Sequence, residues 1–339
     1  MAPLLADCHL HFEGSLPLDV VQSLAGRARH PFAEPGAFPA ARDAVRDSGG
    51  FLALFAEICR LFRTPEDYRD AASRLARSLA AGGVAYAEVY VSPEICGRIG
   101  LDPGACLAAV DAGFGEKDPS DDFADCRILL DTVRHWGAEA AERVLDVHER
   151  RPLPRVVGFG MGGDEASHPA SEFAGAYARA RSIGLKTSVH AGEWQGAHSV
   201  RSALDALRPD RIDHGIAAAS DASLLERLAD ETVPLFVAPT GNVRTGAVAG
   251  FADHPFRRLL AAGVAVAISA DDPLLFSTTT AGEYSAAATA FGLDDEALRE
   301  TAARSWRGAF GLSAQARAAG ASALSSWSPG QAPPSGSST

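Results

Sequence analysis

The stretch LLADCHLHFEG, residues 4–14, decides how the rest of the chain is interpreted. Its apolar start, Leu4 to Cys8, has the length and composition of a buried strand, and His9 and His11 follow directly. Side chains two residues apart in an extended chain point to the same side, so both imidazoles face one way while Cys8 faces the core. A dinucleotide-binding fold would carry G-x-G-x-x-G at this point, so the histidine pair argues against that fold.

Short apolar runs of the same kind recur along the chain, each separated from the next by a stretch with helical periodicity. The candidate strands are Leu4 to Cys8, Val84 to Val91, Arg127 to Thr132, Arg155 to Phe159, Lys186 to Val189, Arg211 to Asp213, Leu235 to Ala238 and Val264 to Ile268. Strands that alternate with helices predict parallel pairing, and this number of strands predicts an α/β fold of the (β/α)8 TIM-barrel type. A doubly wound open sheet and a division into two smaller domains stay open as alternatives at this level.

Two segments fall outside the regular alternation. Residues 26–65 form an excursion between the first two strands and predict extra helices there, and their apolar FLALFAEICRLF could cover the mouth of the barrel. The end of the chain is rich in Ser, Pro and Gly, which is typical of disorder. We therefore predict a single (β/α)8 domain over residues 1–320 and a disordered tail over residues 321–339.

Composition and charge exclude several classes of protein. Hydrophobic residues make up 47% of the chain and charged residues 22%, as in ordinary soluble domains. The apolar runs are too short for a membrane span, no secretory signal is visible, and five cysteines without C-x-x-C indicate a reduced, cytoplasmic protein. The net charge of −12 argues against a nucleic-acid partner and leaves a small molecule as the expected ligand. Nothing in the sequence indicates the oligomeric state.

Metal-binding and titratable side chains cluster where the candidate strands end. They are His9, His11, His190, Glu193, His214, Asp271 and Asp272. In a barrel these residues converge on the carboxyl-terminal face, where the active sites of this fold lie. Each has an ordinary alternative, since H-x-H alone is weak evidence of a metal and Asp before Pro commonly caps a helix. Their joint placement favours one site.

The residue types fit a hydrolytic metal centre. Three imidazoles and one carboxylate favour zinc and can leave a position for water, whose pKa zinc lowers to about 7. The candidate ligands are His9, His11, His190 and Asp271. Glu193 suits a proton carrier, while His214 and Asp272 could orient the water and take up its proton.

Six motifs, HLHFEGS, GFGMGGDE, VHAGEW, RIDHGI, PTGNVRTGAV and SADDP, follow one another in the order and strand positions of the adenosine deaminase family. The chain resembles that family from about residue 5 to about residue 312, and HAGE, DHG and DDP with the H-x-H are the specific parts. The family consists of zinc-dependent (β/α)8 barrels of the amidohydrolase superfamily that hydrolyse the exocyclic amine of adenine-type rings. The resemblance therefore implies a deaminase.

The resemblance also implies a role for each residue. The zinc ligands would be His9, His11, His190 and Asp271. Glu193 would protonate the ring nitrogen beside carbon 6, His214 would orient the water and act as base, and Asp272 would hydrogen-bond the water and the five-membered ring. Gly163 would offer its backbone N–H to the ring, and Glu13 would contact the rest of the substrate. Water then adds to carbon 6 and ammonia leaves.

One zinc ion per chain is expected. Superfamily relatives with two metals often bridge them by a lysine at the end of strand 4, but VVGFGMGGDE has none, and Lys186 lies at the start of strand 5. The cytidine-deaminase type of zinc site needs H-x-E with P-C-x-x-C, and this chain has no C-x-x-C. That chemistry is excluded.

Departures from the family pattern bear on the substrate. Glu13 stands where adenosine deaminases usually carry an Asp that contacts the ribose, while Gly160, Asp213 and Gly241 replace a usual Asp, Gly and Ser. These changes suggest a reshaped pocket, and we expect a purine nucleoside, either adenosine or a modified adenine nucleoside such as 6-aminodeoxyfutalosine. Free adenine is one alternative, and a mononuclear amidohydrolase acting on another ring amine is a second. A catalytically idle barrel that only binds a ligand is the non-enzyme alternative, although such a barrel would be expected to have lost a ligand or the glutamate.

Overall fold

Parallel strands form the centre of the molecule in a computed structural model that describes residues 4–116 and 123–327. The strands are β1 (Leu5–His11), β2 (Val84–Val91), β3 (Asp125–Val133), β4 (Val156–Gly162), β5 (Lys186–Ala191), β6 (Arg211–His214), β7 (Leu235–Val237) and β8 (Val266–Ile268). They lie side by side in sequence order as one eight-stranded sheet. The predicted (β/α)8 barrel is confirmed.

Strand β1 closes the barrel against the segment that follows β8. Leu10 and Asp271 form a parallel bridge across the gap. The Asp271 N–H donates to the His9 carbonyl and the His11 N–H donates to the Asp271 carbonyl, both at 3.0 Å. Closure of the barrel thus fixes the backbone of Asp271 beside the histidine pair of β1.

Helices cover the outside of the barrel and fill the connections between strands. Their bounds are α1 (Leu18–Ala28), α2 (Ala37–Asp43), α3 (Ser48–Cys59), α4 (Pro65–Ala81), α5 (Pro93–Arg98), α6 (Pro103–Gly115), α7 (Ala138–Arg150), α8 (Ala174–Ser182), α9 (Ala197–Leu207), α10 (Ala222–Asp230), α11 (Pro239–Arg244), α12 (Phe256–Ala261), α13 (Pro273–Phe276), α14 (Thr280–Phe291), α15 (Asp295–Gly308) and α16 (Ala314–Ala323). No helix in these described ranges combines the length and apolarity needed to cross a membrane.

The excursion between the first two strands contains extra helices, as predicted. Helices α2 and α3 lie in it, and α3 begins after Asp47, whose side chain accepts the Gly50 N–H. Phe51 and Phe55 on α3 line the cavity at the carboxyl-terminal end of the barrel. The apolar segment of residues 51–62 therefore contributes a wall of that cavity.

A buried ion pair lies in the barrel interior where β6 begins. Arg211 and Glu88 are fully buried and their side chains pair at 2.6 Å. The guanidinium also lies 4.7 Å from the ring centre of Phe236 and 4.1 Å from that of Phe310. A buried charge needs such pairing, because transfer of an unpaired ion out of water is very costly.

The predicted start of the disordered tail at residue 321 is wrong for its first seven residues. Helix α16 continues to Ala323, and the Leu324 side chain is only 1% exposed. The ring of Trp327 packs edge-on against Tyr284, with 5.1 Å between the ring centres. Leu324 and Trp327 pack against the rest of the domain, and this packing outweighs the tendency of the Ser-rich sequence around them to be disordered. Residues 328–339 of the predicted tail lie outside the described residues.

Candidate active site

All seven site residues predicted from strand ends lie around the carboxyl-terminal end of the barrel. His9 and His11 belong to the end of β1, and His190 lies in β5. His214 ends β6 with a left-handed backbone (φ 63°), and Asp271 has the same unusual conformation (φ 61°). Such backbone costs a residue with a Cβ free energy, and it is common where surrounding structure fixes a functional side chain.

Four side chains form a compact donor cluster, as predicted. His190 Nε2 lies 3.0 Å from His9 Nε2 and 3.1 Å from His11 Nε2. Asp271 Oδ1 lies 3.2 Å from His9 Nε2 and 3.3 Å from His11 Nε2. A regular tetrahedron of ligands about 2.0–2.1 Å from zinc has edges of about 3.3–3.4 Å. The donor types and their spacing therefore fit a zinc ion, and these four residues can hold a metal.

Backbone carbonyls fix which nitrogen each buried ligand offers. The other ring nitrogen of His190, Nδ1, lies 2.9 Å from the Met161 carbonyl, and that of His9 lies 3.3 Å from the Phe236 carbonyl. A carbonyl only accepts, so Nδ1 carries the proton in each ring. The Nε2 lone pairs are then free for a metal.

A buried carboxylate lies beneath the donor cluster. Asp213 lies 3.6 Å from His190 Nδ1 and 3.9 Å from His9 Nδ1, and the Ser188 hydroxyl donates to it at 2.7 Å. Tyr90 also donates to Asp213. Although burial alone would raise the pKa of Asp213, the neighbouring rings of His9 and His190, the Arg211 guanidinium and the hydrogen bond from Tyr90 hold it below its usual range.

The interpretation of Gly160 and Asp213 as changes in the pocket wall is wrong. A Cβ on Gly160 would overlap the ring of Tyr90, so this glycine makes room for the tyrosine that hydrogen-bonds Asp213. Both residues lie below the donor cluster and outside the set of described residues that line the cavity. At these two positions the departures from the family pattern change the residues that hold the histidines in place, and not the cavity wall.

A cavity of about 740 Å³ opens above the donor cluster. Its floor and walls include all the predicted catalytic residues, Glu193, His214 and Asp272. Its outer part is largely apolar and includes Ile95, Ile99, Val133, Trp136 and Trp194. The volume falls within the range of about 300–1,000 Å³ typical of small-molecule sites.

Glu193 faces the donor cluster in surroundings that favour its protonated form. Its Oε2 lies 3.4 Å from His214 Nε2, and the Thr245 hydroxyl donates to its Oε1 at 3.4 Å. Burial first, and then the negative charges of Asp271 and Glu165, raise the pKa of Glu193 well above its usual range. A carboxylic acid that keeps its proton at neutral pH can donate that proton to a bound ring.

Sequence reasoning missed Glu165, which positions the segment that carries Glu193. Its Oε2 accepts the backbone N–H groups of Glu193 at 3.1 Å, Trp194 at 2.8 Å and Gln195 at 2.9 Å. Gly192 and a serine hydroxyl of α9 donate to the other oxygen. The glycine-rich motif GFGMGGDE ends in this residue, but its acid was not singled out because no spacing rule marks it.

The other predicted residues differ in their access to the cavity. Asp272 and Gly163 line it, and Gly163 has a left-handed backbone (φ 89°) that brings its chain close to His135. Asp272 packs on Gly14, where any Cβ would overlap its carboxylate. Glu13 is only 2% exposed and is not among the described residues that line the cavity. Burial and the nearby negative charge of Asp131 raise the pKa of Glu13 to about 7.

Asp131 was also missed by the sequence analysis. It lies near the end of β3, lines the cavity, and its Oδ1 has no hydrogen-bond partner in the described part of the chain. Burial raises its pKa to about 6. Its position at a strand end was the one available signal.

The fold and the site together define a barrel enzyme with a donor cluster able to hold a metal at its carboxyl-terminal face. The family model described as adenosine deaminase matches residues 4–327. An adenine deaminase of Chelativorans sp. (strain BNC1) is 39% identical over 311 residues, which cover 91% of this chain and 94% of that protein. The chain therefore belongs to the adenosine deaminase family, and it is a deaminase.

Solved structures agree with this family. The crystal structure of an adenine deaminase from Arthrobacter aurescens matches with a TM-score of 0.90 and 29% identity, covering 96% of this chain and 99% of that one. An amidohydrolase from Burkholderia ambifaria with bound Zn shares the fold, with a TM-score of 0.86 and 24% identity over 95% of this chain and 89% of that one.

Proposed function

We propose that this protein is a zinc-dependent aminohydrolase that removes the 6-amino group of an adenine-type purine, with free adenine as its first candidate substrate. The observation that carries the proposal is the position of Glu193, an acid with a raised pKa that lies 3.4 Å from His214 beside a cluster of four donors able to hold a metal. This pairing supports a proton donor and a site for an activated water within one cavity. Hydrolytic deamination of a ring requires both.

The donor cluster supports one zinc ion per chain, held by His9, His11, His190 and Asp271. When bound, zinc would supply a nucleophile at neutral pH by lowering the pKa of water to about 7. A second group of donors, Glu193, His214 and Asp271, shares its aspartate with the first. We assign this second group to proton transfer and positioning, because burial and the charge of Asp271 favour the protonated form of Glu193, and a protonated carboxyl is a poor metal ligand.

The chain's own residues carry the remaining chemistry. Glu193 would donate its proton to the ring nitrogen next to carbon 6, which makes that carbon more electrophilic. His214 and Asp272 would hold the attacking water, since both line the cavity together with Asp271. Positioned proton transfer of this kind typically contributes about 10²- to 10⁴-fold in rate.

Support for free adenine comes from the relatives. Adenine deaminases from several bacteria are 34–39% identical to this chain, over 86–91% of its length. Glu13, which replaces the acid that contacts ribose in adenosine deaminases, lies outside the cavity lining of the described residues.

An adenine nucleoside, either adenosine or a modified nucleoside such as 6-aminodeoxyfutalosine, is the second candidate. The cavity favours it, since its apolar outer part extends from the site floor to Ile99 and Trp136 and leaves room for a substituent on the base. The guanidinium of Arg98 stacks 3.9 Å from the Trp136 ring centre at this outer part. A positive charge there would favour a substituent that bears a negative group.

Ammonia release from a panel of substrates tests the proposal. The panel contains adenine, adenosine, deoxyadenosine, 5′-modified adenosines and 6-aminodeoxyfutalosine, each measured as kcat/KM. Turnover of adenine at least about 100-fold above every nucleoside supports the first candidate, and the reverse order supports the second. Bound zinc without ammonia release from any compound would overturn the proposal and leave a ligand-binding barrel.

A further inference from the structure

A chain of hydrogen bonds leads away from His214 into the protein interior. His214 Nδ1 lies 3.1 Å from Asn242 Nδ2, and Asn242 Oδ1 lies 3.2 Å from His254 Nε2. The backbone N–H of Phe256 donates to His254 Nδ1 at 3.1 Å. Asn242 is fully buried, His254 is 6% exposed and His214 is 1% exposed, so water does not compete for these bonds. Asn242 is also the single asparagine of the chain.

At the His254 end of this series of hydrogen bonds, donor and acceptor can be assigned without ambiguity. A backbone N–H can only donate, so the Phe256 N–H makes His254 Nδ1 an acceptor. Burial lowers the pKa of His254 to about 4, so its ring is neutral at physiological pH. A neutral imidazole carries one proton, which must then lie on Nε2 and point to Asn242 Oδ1.

The hydrogen bond from His254 fixes the orientation of the Asn242 amide, and that orientation determines which group faces His214. With its oxygen turned to the His254 proton, the Asn242 amide presents its NH₂ group to His214 Nδ1. A ring nitrogen that receives a hydrogen bond cannot itself carry a proton. The proton of neutral His214 therefore lies on Nε2, which faces Glu193 Oε2 at 3.4 Å and Asp271 Oδ2 at 3.8 Å.

We propose that Asn242 and His254 are positioning residues that fix the tautomer of His214, so that its Nε2–H faces the reaction site as a hydrogen-bond donor. In this tautomer His214 has no lone pair at Nε2 with which to accept a proton from water. It instead donates to the oxygen of the attacking water, a role that rests on the proposed function. The base role that the family resemblance gives to His214 then falls to a carboxylate.

We assign that role to Asp272, which follows Asp271 directly in the chain. It lines the cavity beside Asp271, and its Oδ1 has no hydrogen-bond partner among the described residues. As the water oxygen bonds to carbon 6, one water proton would pass to Asp272 while the oxygen keeps its hydrogen bond from His214. The proton on Asp272 then passes to the leaving amine, which departs as ammonia when the bond between carbon 6 and the amine nitrogen breaks. The remaining proton of the added water passes to Glu193 as the carbonyl forms, so that both acids end as they began.

The same tautomer bears on the number of metals. Because the Nε2 of His214 carries a proton, it cannot ligate a metal, and the group of Glu193, His214 and Asp271 does not form a second metal site. The expected content of the holoenzyme is one zinc ion per chain.

Nitrogen NMR of the zinc-loaded protein labelled with ¹⁵N-histidine tests the tautomer directly. Long-range proton–nitrogen spectra at pH 7 show which ring nitrogen of each neutral histidine carries the proton, and the signals absent from His214→Gln identify His214. We expect a protonated Nε2 and an unprotonated Nδ1. A proton on Nδ1, or a mixture of both tautomers, would overturn the proposal. This result does not depend on activity, so it stands apart from the failure or success of the proposed function.

Variants of Asn242 and His254 test the consequence of this tautomer for catalysis. Asn242→Asp presents an acceptor to His214, so we expect the tautomer to reverse and kcat to fall at least about 10-fold, with KM changed less than about 3-fold. His254→Gln can still donate to Asn242 and should keep kcat within about 3-fold, whereas His254→Leu should lose about as much as Asn242→Asp. His148→Leu is the matched control, because His148 is another buried histidine, on α7, and it is not among the described residues that line the cavity. Equal losses in His254→Gln, His254→Leu and His148→Leu would show a merely structural role and contradict the proposal.

Discussion

The carboxylate of Glu165 accepts the backbone N–H of Glu193 at 3.1 Å, across 28 residues of sequence. The same carboxylate also accepts the N–H groups of Trp194 and Gln195, so one buried acid fixes the path of the segment that carries the proposed proton donor. Placement of Glu193 beside His214 thus depends on a residue that is not among the described residues lining the cavity.

Replacement of Glu165 should therefore reduce activity through Glu193. In Glu165→Ala the segment loses its acceptors and Glu193 is displaced, so we expect kcat/KM for deamination to fall about 10²-fold. Zinc content should stay unchanged, because none of the four ligands is hydrogen-bonded to Glu165. Glu172→Gln is the control, since that exposed acid in the same connection pairs with His168. Equal kcat/KM in Glu165→Ala and the control would contradict the positioning role.

Metal binding should stabilise the fold. Zinc that binds the native donor cluster and not the unfolded chain adds about 2.7 kcal/mol when its concentration is 100 times the Kd. We expect the Tm of the metal-free protein, measured by calorimetry, to rise by several degrees when zinc is added. His11→Ala should lose most of this rise, and His30→Ala, which changes a histidine paired with Glu57 outside the cluster, should keep it. A rise of the same size in His11→Ala would place the metal elsewhere.

Gly160 should tolerate no side chain, because a Cβ there overlaps the ring of Tyr90. We expect Gly160→Ala to lower the free energy of unfolding by about 1–3 kcal/mol, as overpacking of a core does. Gly26 lies inside α1 with nothing within 4 Å of an added Cβ, so Gly26→Ala should leave stability equal or raise it by up to about 1 kcal/mol. Urea unfolding of both variants measures the contrast, and a stable Gly160→Ala would remove the reason given for this glycine.

Glu283 should make stability depend on pH. Burial raises its pKa from 4.5 to about 7, even though the Thr240 N–H and the Thr278 hydroxyl donate to it. The unfolded chain then loses this proton at lower pH than the native protein, so the free energy of unfolding falls as pH rises from about 4.5 to 7. A shift of this size corresponds to roughly 3 kcal/mol.

The variant Glu283→Gln isolates this effect, because its side chain stays neutral at every pH. Its free energy of unfolding, relative to that of the wild type, should increase by up to roughly 3 kcal/mol between pH 5 and pH 8. Urea unfolding at the two pH values gives the difference. Parallel pH profiles for variant and wild type would contradict the assignment.

Sequence patterns located the strands well and their ends less well. Val84–Val91 was predicted to the residue, because a strand buried on both faces is a continuous apolar run. Strand β1 runs on to His11, three residues past its predicted end, since the ladder with β2 continues through polar residues at the rim of the barrel. The apolar composition changes at His9, although His9 and Leu10 are still buried and the strand continues.

The site was predictable where chemistry and strand ends coincide, as with His190 and Asp271. Glu165 and Asn242 were missed because each hydrogen-bonds a residue 28 positions away in the sequence, and only the folded barrel brings the partners together. A buried acid in a glycine-rich loop and a lone asparagine in PTGNVRTGAV have no periodicity that separates them from turn residues. The substrate could not be predicted from one motif, because it depends on the shape of the cavity. Several connections between strands and helices determine that shape together.

The central claim, metal-dependent deamination with Glu193 as proton donor, is tested most directly by ammonia release from adenine by three preparations of the protein. They are the zinc-loaded wild type, the same protein after chelation, and zinc-loaded Glu193→Gln, with zinc measured in each. We predict steady ammonia release by the first, restoration of the second only by added metal, and at least about a 10²-fold loss of kcat in the third with its zinc retained. Release that survives chelation, or a Glu193→Gln variant as active as the wild type, would contradict the account.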